Sequence, residues 1–525
     1  DRRAAGTSVV SETQTSIAPT TYAAATPPAS EAATGYDGVP TGGEVVVTGF
    51  RESLAKAQEL KKAATGTVDV IVAQDIAAFP DQNLAEALQR VAGVAITRDS
   101  GEGRQISLRG LGAEFTRTHL NGMEVLTNTA SGLDSRGGVS RGRSFDYSVF
   151  ASELFNQVTV EKSFSAEQDE GGIGGTIGLR TAKPFDYAGL TAVVSAKGQV
   201  NEHTDKLTPR AVGLVSNRWG DFGALVSVAY SSADTIEYGF RNVNWSQINF
   251  GANNVGPNVS AELRDKLVNA KGADRVWSSR QQTYATWFAK RERLGITGAL
   301  QYKPDERTDV TLDVLYGKLS NDRNNTALGS GGTNGVAAND IRGTQVITDL
   351  TLDKHNSIVA ASFDNVDFRN EARLGEDDTE FWQVALNGRT DITDNLQISG
   401  LAGWSKSKFL ATYDQTWLET VGKSYSFDVN VDRPRTHYGF DITDPATGWN
   451  VQQMETRADL IESEFYNAEG ELAWRVGEGS TLKVGGSFKQ FENSAWQRRK
   501  TYIYEDKPGV PQVPTRLTPH SSIMP

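Results

Sequence analysis

The sequence predicts a small α+β domain followed by an antiparallel transmembrane β-barrel. Three observations favour this fold class. Apolar and polar residues alternate in many segments after residue 186, and the connections between those segments are alternately short and long. Only 38% of the residues are hydrophobic. A barrel turns only every second residue of a strand toward lipid, so its composition stays polar overall. No stretch approaches the run of about 20 apolar residues that a spanning helix needs, which excludes a helical membrane protein.

Composition excludes several other classes. The 525 residues include no cysteine, which excludes disulfides, thiolate zinc sites, iron–sulfur clusters and cysteine nucleophiles. The lack of thiols fits an oxidising compartment. The formal net charge of −12 and the pI of about 5.1 are opposite to those of most nucleic-acid-binding proteins, so we expect no nucleic-acid partner.

The N-terminal segment has two parts of different character. Residues 1–43 are rich in Ala, Thr, Ser and Pro and have few large apolar side chains, which predicts a disordered linker. A β-branched run follows, made of Glu44, Val45, Val46, Val47, Thr48 and Gly49. Such a run is either an edge strand of the following domain or a strand that pairs with the sheet of a partner.

Residues from about 66 to 186 show a mixed α/β pattern, with the size of one small domain. Asp81 is placed to cap a helix on which Leu84, Leu88 and Val91 recur at helical spacing, and Gly93 stands at its C-terminal end. Apolar and β-branched segments predict strands over 67–73, 94–98, 105–109 and 157–161. The stretch 127–144, rich in Gly, Ser and Arg, predicts exposed loops.

Beyond residue 186 the chain has the pattern of membrane strands. Phe222, Ala224, Val226, Val228 and Tyr230 alternate with small or polar residues, and the same alternation recurs over 294–302, 310–317, 396–405, 466–476 and 482–489. One face of each segment is apolar with Tyr or Trp near its ends, as in a strand that faces lipid between two aromatic girdles. A soluble sandwich would instead bury that face against a second sheet.

The lengths of the connections favour the barrel. The short connections cover 218–221, 304–307, 390–395 and 477–480, and the long ones cover 233–283, 322–376 and 413–462. Outer-membrane barrels have tight periplasmic turns and long extracellular loops, whereas soluble domains seldom repeat loops of about 50 residues. We count about nine strands, an odd number and too few for a barrel that encloses a domain, so we expect the sequence to be incomplete.

Three stretches resemble the TonB-dependent receptor family. The first is 44–49, which is similar to the family's TonB box, a hydrophobic run ending in Val-Thr-Ala, with Gly49 in place of the usual Ala. The second resembles the family's plug pattern, in which one strand ends in Arg-Gly and another at Asp-Gly; the matching segments are 106–110 (ISLRG) and 118–123 (THLNGM). Asn121 stands where Asp is common, and either residue suits a tight turn before Gly.

The third stretch resembles the signature IERIEVLRGP…G…GGVINIVTK at the end of the plug. It consists of 153–162 (ELFNQVTVEK) and 171–181 (GGIGGTIGLRT). Lys162-Ser163-Phe164 replaces the usual Arg-Gly-Pro, and the Leu-Tyr-Gly that often follows is absent. These departures resemble a proteobacterial subgroup of large receptors in which carbohydrate uptake is common.

The resemblance implies an α+β plug domain inside an antiparallel β-barrel of roughly 22 strands. It divides the chain into a linker at 1–43, a TonB box at 44–49, a plug domain at 50–186 and a partial transmembrane barrel with long extracellular loops at 187–525. It implies a place in the outer membrane of a Gram-negative bacterium, with the N-terminus in the periplasm. The implied partners are TonB with its inner-membrane motor, which would bind residues 44–49, and outer-membrane lipid; accessory proteins of the periplasm or cell surface are further candidates.

The resemblance also implies structural roles for residues of the plug motifs, namely Arg109, Gly110, Asn121, Gly122, Gly171, Gly172, Gly174 and Gly175. We expect Arg109 to be a buried charge that pairs the plug with the barrel, and the glycines of 171–175 to let strands cross closely. Gly172 and Gly174 also match the start of a dinucleotide loop, but Ile177 stands where that motif needs Gly and no helical pattern follows.

The residues do not suggest catalysis or a resident cofactor. The five histidines are scattered without the spacing of metal ligands, and no nucleophile elbow or Walker loop occurs. Acidic runs at 167–170 and 376–378 are candidates for calcium near a membrane surface, although such runs are more often simply solvated. We therefore predict a protein that is not an enzyme and has no cofactor or metal site.

Candidate substrate contacts are aromatic and basic. Four tryptophans fall in or near the long connections and either stack on sugars or aromatic ligands or belong to an interfacial girdle: Trp245, Trp277, Trp417 and Trp449. Three arginines of the plug loop either meet an anionic solute or pair with acids of the lumen: Arg136, Arg141 and Arg143.

The sequence thus predicts TonB-dependent import of a scarce solute, with an oligosaccharide as the first candidate. A ferric siderophore is the alternative, because it is the commonest cargo of the wider family. A passive porin or adhesin barrel is a third possibility, and the folded domain ahead of the strands argues against it.

Overall fold

The computed structural model describes residues 57–62, 64, 66–72, 83–99, 101–127, 143–164, 166, 168–330, 340–341, 343–431, 434–477, 479–503 and 518–523. The chain divides into two units, Asp1–Val47 and Thr48–Pro525, and every described residue lies in the second. The predicted linker and the predicted TonB box at 44–49 therefore lie outside the described residues. None of the helices within these ranges is long and apolar enough to cross a membrane.

The first part of the described chain forms the plug domain. Its elements are β1 (Val68–Val72), α1 (Leu84–Leu88), β2 (Val94–Asp99), β3 (Glu102–Leu108), β4 (Thr116–Leu120), β5 (Met123–Glu124), β6 (Phe155–Glu161) and β7 (Gly175–Thr181). One sheet has the order β1-β6-β7-β4-β5 with β4 and β7 parallel, and β2 pairs with β3 in a separate hairpin. The four strands predicted in this region are observed as β1, β2, β3 and β6.

Helix α1 is shorter than the sequence predicts. Its N-cap is Asn83, whose side chain accepts a hydrogen bond from the Glu86 backbone N–H at 3.3 Å; Asp81 lies outside the described residues. The helix ends at Leu88, and Gly93, with φ of +80°, lies in the turn before β2. The apolar spacing therefore identifies the buried face of the helix but not its ends.

The remaining strands form one large sheet. They are β8 (Thr191–Asn201), β9 (Lys206–Trp219), β10 (Phe222–Phe250), β11 (Val276–Tyr302), β12 (Thr308–Ser330), β13 (Asp340–Ile341), β14 (Val346–Leu352), β15 (Ile358–Thr393), β16 (Leu396–Asp428), β17 (Arg435–Tyr438), β18 (Asn450–Gly477), β19 (Ser480–Ile503) and β20 (Thr518–Ile523). The main order is β20-β19-β18-β16-β15-β12-β11-β10-β9-β8, while β13, β14 and β17 pair at its margins. This large antiparallel sheet beside a plug domain confirms the predicted fold class.

The long strands share one arrangement of faces. In the part of β10, β11, β12, β15, β16, β18 and β19 nearest the short turns, the odd-numbered residues point toward the plug domain, as Arg293, Phe381 and Lys489 do. The even-numbered residues point away and form what we call the outer apolar band, in which Val226 is 55% and Leu300 59% exposed. The band is about nine residues long on each strand, the length that a tilted strand needs to cross a bilayer.

Aromatic side chains border the outer apolar band on both sides. Next to the short turns lie Phe222, Tyr302 and Trp474, and the rings of Phe222 and Tyr302 are 4.7 Å apart. The opposite border, which we call the upper aromatic row, consists of Tyr230, Tyr316, Trp382, Trp404 and Tyr466. The rings of Tyr316 and Trp382 in that row are 4.5 Å apart. The arrangement is that of a transmembrane sheet with two girdles.

The connections predicted as long loops are mostly strand. Strand β10 continues to Phe250 and β11 begins at Val276, although the sequence predicts a loop over 233–283. In the same way β12 and β15 extend far into 322–376, and β16 and β18 extend far into 413–462. The predicted short turns are observed. The hairpins therefore project well past the upper aromatic row.

The far ends of these hairpins have a hydrophobic core of their own, separate from that of the plug domain. Helix α2 (Ala261–Asn269) buries Leu267 in it, and Ser260 caps the helix by accepting a hydrogen bond from the Leu263 N–H at 3.2 Å. The ring of Tyr425 lies 5.4 Å from that of Phe363 and 5.2 Å from that of Phe368. The ends of the hairpins are thus packed against one another.

Candidate functional site: the plug–wall interface and the distal vestibule

Two tight turns shape the plug domain. Asn121 and Gly122 have φ of +49° and +87° between β4 and β5, as a type I′ turn requires. Arg109 and Gly110 also have positive φ, +54° and +76°, directly after β3. Arg109 is exposed there, so the prediction that it is a buried charge is wrong. We call the large antiparallel sheet of β8–β20 the wall. The Arg109-Gly110 pair forms a turn and does not form an ion pair with the wall.

Three glycines of the last plug motif, Gly172, Gly174 and Gly175, lie where backbones approach closely, whereas Gly171 faces the Arg117 side chain. A Cβ on Gly175 would lie 2.5 Å from the backbone oxygen of Glu161. A Cβ on Gly174 would lie 3.1 Å from the backbone oxygen of Phe115. Side chains at these positions would push the crossing segments apart.

A buried carboxylate joins the plug to the wall. Glu102, at the start of β3, forms ion pairs with Arg293 and, at 3.3 Å, with Arg291, both on β11. The Asn83 amide also donates to it at 3.4 Å. Side-chain exposure is 1% for Glu102, 6% for Arg291 and 3% for Arg293. Burial raises the pKa of Glu102, but the two guanidinium groups outweigh it and hold the pKa at about 2.

Further contacts fix the plug to the same side of the wall. Glu153 forms an ion pair with Arg210 on β9. Phe150 packs edge-on against Phe381 of β15, with ring centroids 5.2 Å apart, and a Cβ on Gly317 would lie 2.8 Å from the Phe150 ring. The small residue at Gly317 thus makes room for the plug.

Two amides of β15 bind the plug backbone at the Asn121 turn. The Gln383 side chain donates to the Leu120 oxygen at 2.7 Å, and the Asn387 side chain donates to the Asn121 oxygen at 3.1 Å. The Asn121 side chain in turn accepts from the Thr181 N–H at 3.0 Å. The turn therefore joins β4, β7 and the wall.

We expect the plug to loosen as the pH falls from about 4.5 toward 2. The folded pKa of Glu102 is below its ordinary value of 4.5, so its charge stabilises the docked plug above that pH, and the stabilisation is lost as the pH falls through the folded value. The loss is on the order of 3 kcal/mol. Hydrogen exchange of the β3 amides at pH 6, 4 and 3 measures it. In Glu102→Gln the exchange-corrected protection should change less with pH, and an equal change in both proteins would contradict the assignment.

Beyond the plug, the inward face of the sheet forms what we call the distal vestibule. It consists of Arg369, Glu371 and Arg373 on β15, Tyr413, Gln415 and Trp417 on β16, and Glu455, Arg457 and Asp459 on β18. The Arg369 guanidinium lies 4.2 Å from the centre of the Trp417 ring. The Tyr413 ring lies 4.9 Å from the Arg373 guanidinium and 5.6 Å from that of Arg457.

The arginines of the distal vestibule have carboxylate partners. Arg373 lies 3.2 Å from Glu371, and Arg457 lies 2.9 Å from Asp459. The Trp417 indole N–H is buried and has no hydrogen-bond acceptor among the described residues. The vestibule thus offers donors, acceptors and aromatic rings without a large excess of either charge.

The structure separates the predicted substrate contacts. Trp417 lies in the distal vestibule. Trp245 and Trp277 lie on β10 and β11 and are 37% and 39% exposed, while Trp449 packs against the core at the hairpin ends and donates to the Ile442 oxygen at 3.3 Å. These three are not brought together with Trp417 by any contact among the described residues.

The arginines predicted to meet substrate are only partly described. Arg143 bonds through its backbone N–H to Glu114 at 2.6 Å and lies 3.4 Å from Glu124. Its guanidinium also lies 5.8 Å from the ring centre of Phe491 on β19. Arg136 and Arg141 lie outside the described residues. Among the described residues, Arg143 thus pairs with acids of the plug and not with the acids of the lumen that the sequence analysis named as the alternative.

Sequence reasoning missed the main charges of the interface, Glu102, Arg291 and Arg293. The Arg-x-Arg spacing puts both arginines on the inward face of one strand, and this spacing was the available signal. Their partner lies 191 positions away from Arg293, where no local pattern indicates it. Within the described residues, no group of three or more His, Asp or Glu side chains is arranged to hold a metal ion.

A plug domain held by buried charges against one face of an antiparallel membrane sheet defines a plugged outer-membrane receptor. Residues 60–176 match the family model described as TonB-dependent Receptor Plug Domain. The plug domain of this chain therefore belongs to the TonB-dependent outer-membrane receptor family.

Two curated relatives come from Pseudomonas aeruginosa. The ferric enterobactin receptor is 30% identical over 146 residues, which are 26% of this chain and 19% of the relative. The ferric enterobactin receptor PirA is 31% identical over 151 residues, which are 27% of this chain and 19% of the relative. The matched segment thus spans about a fifth of the length of these relatives.

Solved structures are similar at low identity. The siderophore receptor PirA from Acinetobacter baumannii is 11% identical, with 86% of this chain and 79% of that chain covered and a TM-score of 0.34. The copper transporter OprC is 10% identical, with 85% and 63% covered and a TM-score of 0.34.

Proposed function

We propose that this protein imports a scarce solute across the outer membrane and that TonB supplies the energy. The observation that carries the proposal is the plug–wall interface, in which Glu102 is buried between Arg291 and Arg293. Breaking a buried ion pair from one side costs about 3–5 kcal/mol, so separation of the plug from the sheet is unfavourable at equilibrium. A passage closed in this way needs work from outside the barrel.

We propose that TonB binds residues 44–49 and applies that work to the plug through this segment. A β-branched run beyond a polar linker suits pairing with the sheet edge of a partner, and this supports the proposal that the N-terminus lies in the periplasm and meets TonB there. Domain assignments follow: linker 1–43, TonB box 44–49, plug 50–186 and membrane sheet from 187 onward. The plug is the element that moves.

Deletion of residues 44–49 should abolish uptake and leave substrate binding unchanged. The matched control deletes six residues of the linker, 21–26, which keeps the chain length equal. Uptake by intact cells and binding to purified receptor are measured for both variants. Unchanged uptake in the 44–49 deletion would exclude energy coupling through this segment and favour a passive barrel.

We infer that the substrate is an oligosaccharide without a large net charge. Arg373 and Arg457 are neutralised by Glu371 and Asp459. An anionic ferric chelate gains little from cations that are already paired, whereas sugar hydroxyls use donors and acceptors alike. The unpaired indole N–H of Trp417 supplies one more donor.

A ferric siderophore is the second candidate, and the named activity of the two curated relatives favours it. The two candidates respond differently to growth conditions. Induction of the protein by one glycan, without a response to iron, supports the oligosaccharide. Induction by iron starvation alone would favour a ferric chelate as the substrate instead of the oligosaccharide. That result would not affect the proposal that TonB supplies the energy.

Trp417→Ala should weaken substrate binding by about tenfold, because it removes one ring and one indole donor from the distal vestibule. Titration calorimetry of the purified receptor with a panel of neutral oligosaccharides and ferric chelates measures the change. Trp474→Ala, at the lower border of the outer apolar band, is the matched control and should bind as the wild type does. Equal affinity in both variants would remove Trp417 from the site.

A further inference from the structure

Trp417 in the distal vestibule has one face of its ring covered by a cation. The Arg369 guanidinium lies 4.2 Å from the centre of the ring. Planar guanidinium groups stack on aromatic faces in this way, and the contact leaves the opposite face for a ligand. The Trp417 side chain is only half-buried, so a molecule in the vestibule can reach part of the ring. The position of Arg369 therefore decides which face of Trp417 is offered.

The Trp417 ring is held by its neighbours and not by its own polar atom. The indole N–H is buried and has no acceptor among the described residues. A ring that could turn freely would bring this donor to water or to an acceptor, because a buried donor without a partner costs free energy. The observed orientation therefore depends on the side chains around the ring.

Glu371 connects Arg369 with the rest of the distal vestibule. It lies on β15 directly opposite Trp417 on β16, and its Oε2 lies 3.6 Å from the Arg369 guanidinium. Its Oε1 accepts hydrogen bonds from Arg373, at 3.2 Å, and from the Gln415 side chain. Two donors on one oxygen fix the orientation of the carboxylate, and the second oxygen then faces Arg369.

Arg369 needs such an anchor to stay on the ring. A free arginine side chain has many rotamers, and it loses conformational entropy when one of them is fixed. Glu419 lies opposite Arg369 in the register, whereas Glu371 lies opposite Trp417. Attraction to Glu371 therefore draws the guanidinium along the strands toward the ring. The Arg369 and Glu371 side chains are 21% and 12% exposed, so water screens this attraction only in part.

We propose that Glu371 is a positioning residue for substrate binding. It holds the Arg369 guanidinium flat on one face of Trp417 and so presents the other face of the ring to a sugar. A ring fixed in advance stacks on the sugar without losing side-chain freedom at that moment, which favours binding. The effect of Glu371 on affinity passes through Trp417. The inference rests on the proposed binding of an oligosaccharide in the distal vestibule.

The first test needs no substrate. The full receptor is labelled with fluorotryptophan and purified in detergent, and the fluorine NMR resonance of Trp417 is identified by its absence in Trp417→Phe. Glu371→Gln keeps the shape of the side chain, and its Oε1 keeps two donors, so its amide N–H groups face Arg369 and repel it. We expect the Trp417 resonance to shift or broaden in Glu371→Gln.

Asp377→Asn is the matched control, in which the Trp417 resonance should stay as in the wild type. Asp377 lies on the same strand and the same face as Glu371. It pairs with Arg323, and the two side chains are 12% and 21% exposed, as those of Glu371 and Arg369 are. The control thus removes an equally buried carboxylate that has no contact with the Trp417 ring among the described residues.

The second test measures the coupling between Glu371 and Trp417. Calorimetry with the same panel of neutral oligosaccharides is carried out for Glu371→Gln, for Trp417→Ala and for the double variant. We expect Glu371→Gln to weaken binding by about fivefold alone, and by less than about twofold when residue 417 is already alanine. Arg369→Lys keeps the charge but not the planar group, so it should weaken binding as Glu371→Gln does.

Two results would overturn the positioning role. One is an unchanged Trp417 resonance in Glu371→Gln, and the other is an equal loss of affinity with and without the Trp417 ring. Wild-type affinity in Trp417→Ala is a different failure, because it would overturn the proposed substrate site itself, and the role of Glu371 would fall with it.

Discussion

Glu102→Gln should loosen the plug by about 3–5 kcal/mol, because it leaves Arg291 and Arg293 buried without their carboxylate. The two guanidinium groups cannot reach water, and the amide neutralises neither. Hydrogen exchange of the β3 and β4 amides should accelerate by about 100-fold or more. Cells with this variant should also admit large antibiotics that the wild type excludes.

The control for this prediction is a solvent-exposed ion pair of the same protein. Asp394 pairs with Arg307 at a turn where their side chains are 84% and 54% exposed, so Asp394→Asn should change stability by less than about 1 kcal/mol. A double variant, Glu102→Gln/Arg293→Gln, should recover part of the loss, since one buried charge is then removed. Wild-type exchange rates in Glu102→Gln would show that the pair contributes nothing to docking.

Gly175→Ala should prevent the plug from folding correctly, at a cost of about 3 kcal/mol or more. Gly175 has φ of +141°, a conformation essentially confined to glycine, at the start of β7. A Cβ there would lie 2.5 Å from the Glu161 oxygen and 2.9 Å from Leu108. Protease resistance of the plug and the amount of folded receptor in the outer membrane report the effect.

Gly112→Ala is the matched control. Gly112 has φ of −58°, and a Cβ there would meet nothing within 4 Å. We expect its stability to stay within about 0.5 kcal/mol of the wild type. A Gly175→Ala receptor as protease-resistant as Gly112→Ala would mean that β6 and β7 can separate without harm.

The alternation of residues made the membrane part of the sheet predictable. Segments such as 222–230 have lipid on one side and the plug on the other, so every second residue must be apolar. Beyond Tyr230 the same strands no longer face lipid, and only their far ends, such as Phe250, are buried in the core of the hairpin ends. There the two-residue period disappears, and the sequence indicates loops where β10 continues to Phe250.

The interface between plug and wall was less predictable than either part. The Asn121-Gly122 turn and the strand before it follow from local sequence, because the required φ values restrict the residues. The pairing of charges does not follow from local sequence. Arg109 belongs to a recognisable motif but is exposed, whereas Glu102 belongs to no motif and is buried. In the distal vestibule, the role of Trp417 as a substrate contact stays a prediction, and its neighbour Arg369 was not predicted because it comes from another strand.

The length of the hairpins has a consequence for how ligands arrive. From Trp404 to the end of β16 the strand runs for about two dozen residues, or roughly 80 Å along its own direction. A mouth carried that far out meets a bulky molecule before the molecule has to diffuse through the crowded coat of surface sugars. First contact then occurs in free solution, where the encounter rate is set by the ligand's own diffusion rather than by the density of the coat.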